Sequence, residues 1–456
     1  MKKLILIFFL LPFYCWSQQF ETPRVIYEGS YFRYAIAADF DYDGHLDVAF
    51  VDDEILAWCK NVNGLGNFSE PFIVREDSNI VYQFSSDDID NDGFIDILVA
   101  YGQHDEFAWH KNDGAGNFGP AQIIFSDLNR ASSIQLIDMG QDGSKDLLLG
   151  ITNGNGLYWA ENLNNLGTLW ELHTIDPNIS QARVPSIADL DQDGDIDFLE
   201  PSGALGFDWF ENTDGNGLSW TRHQNDLQVR QAHQLLDIDG DGFLDIITGI
   251  DRWLYLYKNQ GNPNDFNIEV IHESVDLAQF YKVHVADLNN DGYNDIIAAT
   301  HHAVTGDKLV WFENLDGLGN FGPQQIIDDD RLAIWSIETA DFDSDGDLDI
   351  LITDSGLGST GPETRKLLWY RNNEILSIDD IETNPFKISP NPVREVLKIE
   401  SSIPITQVTF YNIQGQIVLK SDTNQQAIDV SSFSNGVYFA EIKAGELKSI
   451  FKIIKE

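Results

Sequence analysis

One nine-residue pattern returns seven times along this chain. It reads Asp-x-Asp-x-Asp-Gly-x-x-Asp, and its copies begin at Asp39, Asp88, Asp138, Asp189, Asp237, Asp287 and Asp341, roughly 50 residues apart, the spacing of a repeat architecture. A second pattern follows each copy: Trp58-x-x-Asn61, Trp109-x-x-Asn112, Trp159-x-x-Asn162, Trp209-x-x-Asn212, Tyr257-x-Asn259, Trp311-x-x-Asn314 and Trp369-x-x-Asn372. Each unit supplies four short segments rich in β-branched and aromatic residues, split by Gly, Asn and Asp turns, with no helical periodicity. Four strands in such a unit make one propeller blade. The seventh unit stops at Asn372 without an outer strand, whereas Phe20 to Tyr27 forms an orphan segment like Phe68 to Arg75. Pairing the orphan with the last unit closes the ring and removes its open edge. The expected fold is all-β: a seven-bladed β-propeller over residues 19–373.

The remainder of the chain differs in composition. Residues 1–18 read as a signal peptide: Lys2 and Lys3, the apolar run Leu4 to Phe13, then Cys15-Trp16-Ser17. Residues 374–384 are polar and acidic, as in a linker. From 385 to 456 eight bases meet seven acids, and alternating runs at Val408–Tyr411, Ile417–Lys420 and Val437–Ile442 predict a small C-terminal β-sandwich. The whole chain has a formal charge of −46, so its acidity belongs to the propeller. Such a surface excludes nucleic acid as a partner, because that affinity comes from Lys and Arg on phosphates. No later run reaches the ~20 apolar residues of a transmembrane helix. Without its leader the chain keeps a single thiol, Cys59, and no internal disulfide can staple it.

Alternating aspartates place carboxylates on one side of a tight turn, and Gly at the sixth position permits the bend. The expected ligand is Ca2+, held by Asp39, Asp41, Asp43 and Asp47 in the first loop and Asp88, Asp90, Asp92 and Asp96 in the second. The fourth offers Asp189, Asp191, Asp193 and Asp197, the fifth Asp237, Asp239, Asp241 and Asp245, the seventh Asp341, Asp343, Asp345 and Asp349. In the sixth, Asp287, Asp291 and Asp295 are joined by the neutral Asn289. The third keeps Asp138, Asp142 and Asp146, but Gly140 replaces one carboxylate and Lys145 sits inside, so a weak or empty site is expected there. About six calcium sites are expected, with the seventh doubtful. An EF-hand is excluded, since the twelfth position is apolar (Phe50, Val99) and strands flank the loop. Metal-free Asp turns are the plainer reading, but they would crowd 26 loop carboxylates without cations.

These loops with their Trp-x-x-Asn partners resemble FG-GAP/VCBS repeats, the calcium-loop propeller repeats also found in integrin alpha subunits, over about residues 20 to 373. The tail resembles the type A C-terminal sorting domain of the type IX secretion system of Bacteroidetes: Ser389-Pro-Asn-Pro392, Val408 to Gly415, Asn435-Gly-Val-Tyr438 and Lys452 to Lys455. That resemblance implies the type IX secretion machinery as a partner, removal of the tail, and a mature protein that is secreted or held at the outer-membrane cell surface.

In a propeller the innermost strand runs toward its loop, so residues shortly before each first Asp lie near the opposite mouth. Arg33, Tyr82, Arg183, Tyr281 and Trp335 stand there, with Tyr31 and Arg130 nearby, and turns between second and third strands should add His104, Arg252, Trp253 and His301. Arginines beside aromatic rings suit an anionic polysaccharide, by bidentate pairing to carboxylate or sulfate and stacking on sugar faces. The alternative is that these side chains fill the channel and pair with acids such as Glu338. Two functions compete: a non-catalytic binding or adhesion module for glycans or surface proteins, and a polysaccharide lyase working by β-elimination, with an Arg neutralising the uronate and Tyr or His as acid and base.

Overall fold

The computed structural model describes residues 19–455 apart from 54, 77–80, 129, 153–155, 180–184, 203–205, 226–232, 276–277, 302–306, 332, 356–364, 374–385, 390–392, 402–403, 413–416, 422–426 and 445–446. The signal peptide, the linker, Arg183 and the Pro390–Pro392 stretch of the tail fall outside the described residues. The chain divides into two units, Met1–Asn373 and Glu374–Glu456.

Among the described residues, the first unit contains seven four-stranded antiparallel sheets, one per repeat. Blade 1 runs Phe32–Ala38, Asp47–Asp52, Ile55–Cys59 and Phe72–Glu76. Blades 2 to 6 repeat this order over residues 81–125, 131–176, 186–225, 233–273 and 279–331. Blade 7 is composite: Ile334–Ala340, Asp349–Asp354 and Arg365–Tyr370 take Arg24–Gly29 as their outer strand. The orphan segment therefore does close the ring, with Arg24 opposite Trp369 and Phe20 bridging Asn372.

The second strand of a blade is covered on both faces, which explains its uninterrupted apolar run, such as Asp47–Asp52 or Asp349–Asp354. Cores form between blades. Leu351, Leu367 and Trp369 of blade 7 pack with Phe32, Phe50 and Ala57 of blade 1, so the seam is sealed by side chains as well as by the borrowed strand. The third-strand Trp packs on a glycine of the next blade. A Cβ on Gly66 would stand 2.1 Å from Trp369, and one on Gly116 2.3 Å from Trp58; this explains why the Trp motif leads into a Gly-rich turn.

The second unit is the expected sandwich. A three-stranded sheet (Phe386–Ser389, Val396–Ser401, Ala427–Asp429) and a four-stranded sheet (Gln407–Asn412, Ile417–Ser421, Gly436–Ala444, Leu447–Lys455) enclose Leu397, Ile399, Val408, Phe410, Ile442 and Ile453.

Candidate functional site

All seven Asp loops adopt one backbone. The sixth-position glycines have φ between 84° and 98°, a left-handed conformation that favours Gly although an added Cβ would meet nothing within 4 Å. The fourth position is left-handed as well, at Tyr42, Asn91, Gln141, Gln192, Gly240, Asn290 and Ser344. The first Asp pins the turn. Asp39 Oδ1 accepts the Asp43 amide at 3.1 Å and its Oδ2 the Gly44 amide at 2.9 Å, and Asp138 does the same in the third loop.

The ninth-position Asp ties the loop to the third strand. Asp47 Oδ1 accepts the Asn61 amide at 2.8 Å and its Oδ2 the Phe40 amide at 3.1 Å; Asp96, Asp146, Asp197, Asp245, Asp295 and Asp349 hold the same pair of partners. Burial raises all seven carboxyls against the opposing pull of those amides. Asp146 and Asp197 reach about 6, Asp47, Asp96, Asp245 and Asp295 about 7, and Asp349 about 8.

Ligand atoms of Asp39, Asp41 and Asp43 lie within 4.8 Å of one another, as do those of Asp88, Asp90 and Asp96, of Asp189, Asp191 and Asp197, and of Asp237, Asp239 and Asp245. The Oδ1 atoms of Asp41, Asp90, Asp189, Asp239 and Asp343 are buried without a hydrogen-bond partner. Orphaned buried carboxylate oxygens are costly, and a hard, oxygen-only donor set is what Ca2+ takes. The residues fit the ion.

At the other end of the first strands, the blades enclose a central channel of about 2000 Å³. Arg33, Tyr82, Tyr281, Trp335 and His301 line it. Guanidinium groups and rings alternate along one side. Arg365 lies 5.2 Å from the Tyr31 ring, Arg33 5.0 Å from Tyr31 and 5.5 Å from Tyr82, and Arg130 5.2 Å from Tyr82. Trp335 flanks Tyr31 at 6.5 Å, and Arg130 Nε donates to the Tyr82 hydroxyl at 3.0 Å. Among the described residues, none of these three guanidinium groups has a carboxylate within ion-pair distance. One of the channel acids, Glu338, is answered by Lys282; burial raises Glu338 to about 7 and lowers Lys282 to about 8.

In blade 6, beside the blade that carries Trp335 and Arg365, His301 Nδ1 lies 2.6 Å from Asp307 Oδ1. Asp307 is buried, and its Oδ2 accepts the Tyr281 hydroxyl at 2.8 Å and the Ala333 amide at 2.6 Å. The Tyr281 oxygen also accepts the Ile334 amide at 2.6 Å. Burial, then the Asp307 charge, pushes this phenol well above its ordinary value.

Two family models match. The FG-GAP-like repeat matches residues 39–99, 88–149, 237–298 and 287–352, and the secretion system C-terminal sorting domain matches 387–456. The chain carries FG-GAP-like repeats and a type IX secretion sorting tail. It is therefore exported, to the medium or to the cell surface, and no helix among the described residues is long and apolar enough to cross a membrane. A search of curated proteins returns no match. Among solved structures, the chain is similar to an Agrocybe aegerita lectin described as recognising non-reducing terminal N-acetylglucosamine, at 20% identity and TM-score 0.52, over 75% of this chain and 86% of that one. It is also similar to BBS1N in complex with ARL6DN, at 8% identity and TM-score 0.53, over 78% of this chain and 98% of that one.

Not every candidate residue reaches the channel. His104 sits in an exposed turn 3.9 Å from Glu106, and Arg252 pairs with Glu273 at 3.0 Å; neither lines the channel. The reason is strand length. In blade 6 the second strand extends to His301, opposite Gln279 on the channel wall, whereas in blade 2 it ends at Tyr101. Of the alternative in which mouth arginines pair with acids such as Glu338, the described residues show the Arg252–Glu273 pair, while Glu338 faces Lys282. Lys145 also leaves its loop, its Nζ lying 3.0 Å from Asp87, so it does not fill the third loop as the sequence suggested. Asp307 and Arg365 were missed: Arg365 joins the site only through the distant Tyr31, and Asp307, though six residues from His301, stands in no motif that marks it.

Proposed function

We propose that this exported protein is a calcium-stabilised propeller whose channel mouth binds an anionic polysaccharide. The observation that carries the reading is the ladder of Arg365, Tyr31, Arg33, Tyr82 and Arg130. In a chain of net charge −46, guanidinium groups with no carboxylate partner among the described residues carry positive charge that the carboxylates or sulfates of a polymer can pair, although Arg130 and Arg365 also donate to the Tyr82 hydroxyl and the Ser30 carbonyl. Trp335 offers a face for a sugar ring, while the Tyr31 and Tyr82 rings carry guanidinium groups over them. Among proteins of the same fold, the Agrocybe aegerita lectin recognises a sugar. Bound Ca2+ would supply the positive charge that the loop carboxylates lack, and Asp39, Asp88, Asp189, Asp237, Asp287 and Asp341 with their loop partners would hold it.

The His301–Asp307 pair favours a second reading, a polysaccharide lyase. With Nδ1–H donated to Asp307, Nε2 is left as a base on the exposed side of the ring. It would take the C5 proton of a uronate whose carboxylate Arg33 neutralises. The electron pair would form the C4–C5 double bond as the C4–O bond breaks, and the leaving oxygen would take a proton from the protonated His301 or from Tyr82. Tyr281 is unsuited to that role, because its hydroxyl is committed to Asp307 and Ile334.

The test is a panel of pectic, alginate, ulvan-like and glycosaminoglycan polymers offered to the purified protein in calcium, following retention and the ultraviolet absorbance of unsaturated uronate. Retention without absorbance supports the binding module, and rising absorbance supports the lyase. Neither signal on any polymer would overturn both.

A further inference from the structure

The seven loops differ at one position outside them, the residue before the Asn of the Trp-x-x-Asn motif. In blades 1, 2, 5 and 7 it is basic: Lys60, Lys111, Lys258 and Arg371. The structure places Lys60, Lys111 and Arg371 on the third and fifth loop carboxylates, and Lys258 on the third. Lys60 Nζ contacts Asp41 and lies 2.8 Å from Asp43, and Lys111 Nζ contacts Asp90 and lies 2.7 Å from Asp92. Arg371 lies 2.5 Å from Asp343 and 2.9 Å from Asp345, and Lys258 is 3.6 Å from Asp239.

In blades 3, 4 and 6 the same position is acidic: Glu161, Glu211 and Glu313. Glu161 and Glu211 are fixed by His173 at 3.0 Å and His223 at 2.6 Å, rings that stack on Trp159 and Trp209. Glu313 Oε1 lies 3.5 Å from Asn289 Nδ2 in its loop. Two of the three acids, Glu161 and Glu313, accompany loops that lack a carboxylate, whereas Glu211 accompanies a complete one. Loops 3 and 6 are the two whose third position lost its Asp, to Gly140 and Asn289, while every basic partner faces a loop with all four aspartates.

We propose that this position sorts the calcium loops into two affinity classes: a tight class in blades 3, 4 and 6, where a Glu adds or restores a carboxylate, and a weak class in blades 1, 2, 5 and 7, where a Lys or Arg occupies the loop's electrostatic field. The proposal rests on the calcium reading above. It reverses the sequence expectation for the third loop, which gains Glu161 and loses the Lys145 charge to Asp87. A side-chain cation close to the bound ion opposes binding, and a carboxylate there favours it. At the effective dielectric of a protein surface, reversing one such charge changes affinity by about tenfold or more.

The experiment is a calcium titration of the full chain against a chromogenic chelator at fixed ionic strength, on the native protein, Lys60→Glu, Lys60→Gln and Glu211→Lys. Three tight and four weaker equivalents are expected. Lys60→Glu should add one tight equivalent, Glu211→Lys should remove one, and Lys60→Gln, which keeps the length without the charge, should move one weak site by an intermediate factor. A single affinity class, or classes indifferent to these charges in variants whose circular dichroism matches the native protein, would overturn the sorting while leaving calcium binding intact. No calcium uptake by the native protein would overturn the calcium reading itself.

Discussion

Each ninth-position aspartate holds two backbone amides before it meets any ligand, and the channel histidine His284 shows the same dominance of burial over charge. Burial holds His284 down at about 4, against 6.5 for an ordinary histidine, and its Nε2 lies 3.0 Å from Thr339 Oγ1. The folded state therefore binds fewer protons than the unfolded chain between these values. The stability it contributes is fully present above pH 6.5 and is lost as pH falls through 4. Thermal melts of His284→Gln should decline less steeply than the native protein between pH 7 and pH 4; parallel declines would refute this. Burial also pushes the Cys59 thiol up to about 12, so a maleimide at pH 8 should leave the native protein unlabelled and modify it once urea unfolds it. At this scale the sequence made the loop ligands visible, because a nine-residue motif is local. The role of Glu161 was invisible there, because the residue stands more than a dozen positions from the loop it serves.

Between blades, the motif Asn is a bolt. Asn112 Nδ2 donates to Phe40 O of the preceding blade at 2.8 Å and to Ile95 O at 2.9 Å; Asn61 reaches Phe342 O and Asn372 reaches Leu288 O, each at 2.7 Å. Asn112→Ala leaves buried carbonyls unpaired and should cost about 1–3 kcal/mol, read as a lower urea midpoint with an unchanged slope. The borrowed strand Arg24–Gly29 predicts a second outcome. Removing residues 19–29 strips blade 7 of its outer strand and exposes the edge of Arg365–Tyr370, so the shortened protein should melt earlier and self-associate in sedimentation. Strands and repeat number were legible from period and turn residues, and closure from the likeness of Phe20–Tyr27 to Phe68–Arg75. The inter-blade bonds were not, because they join segments such as Asn61 and Phe342 that only the closed ring brings together. The same limit misplaced His104, whose strand ends too early to carry it to the channel.

For the whole molecule, the acidic loops and the basic mouth lie at opposite ends of the first strands, and they make separate demands. A propeller without disulfides among its described residues, carrying orphaned carboxylate oxygens in several loops, should depend on calcium: each site at 100-fold its Kd adds about 2.7 kcal/mol. Chelation should lower the melting temperature of the full chain and added calcium restore it, whereas an unchanged melt would contradict the fit of the loops to the ion. The mouth makes no such demand, so function and stability can be separated by mutation. The most direct measurement is a calorimetric titration of a retained polyuronate, in calcium, into the native protein and into Arg33→Ala/Arg130→Ala. The account predicts at least about a tenfold loss of affinity in the double variant, as expected for removing charged hydrogen bonds, a weaker salt dependence and an unchanged calcium-dependent melt. Equal affinity of the two proteins would contradict it.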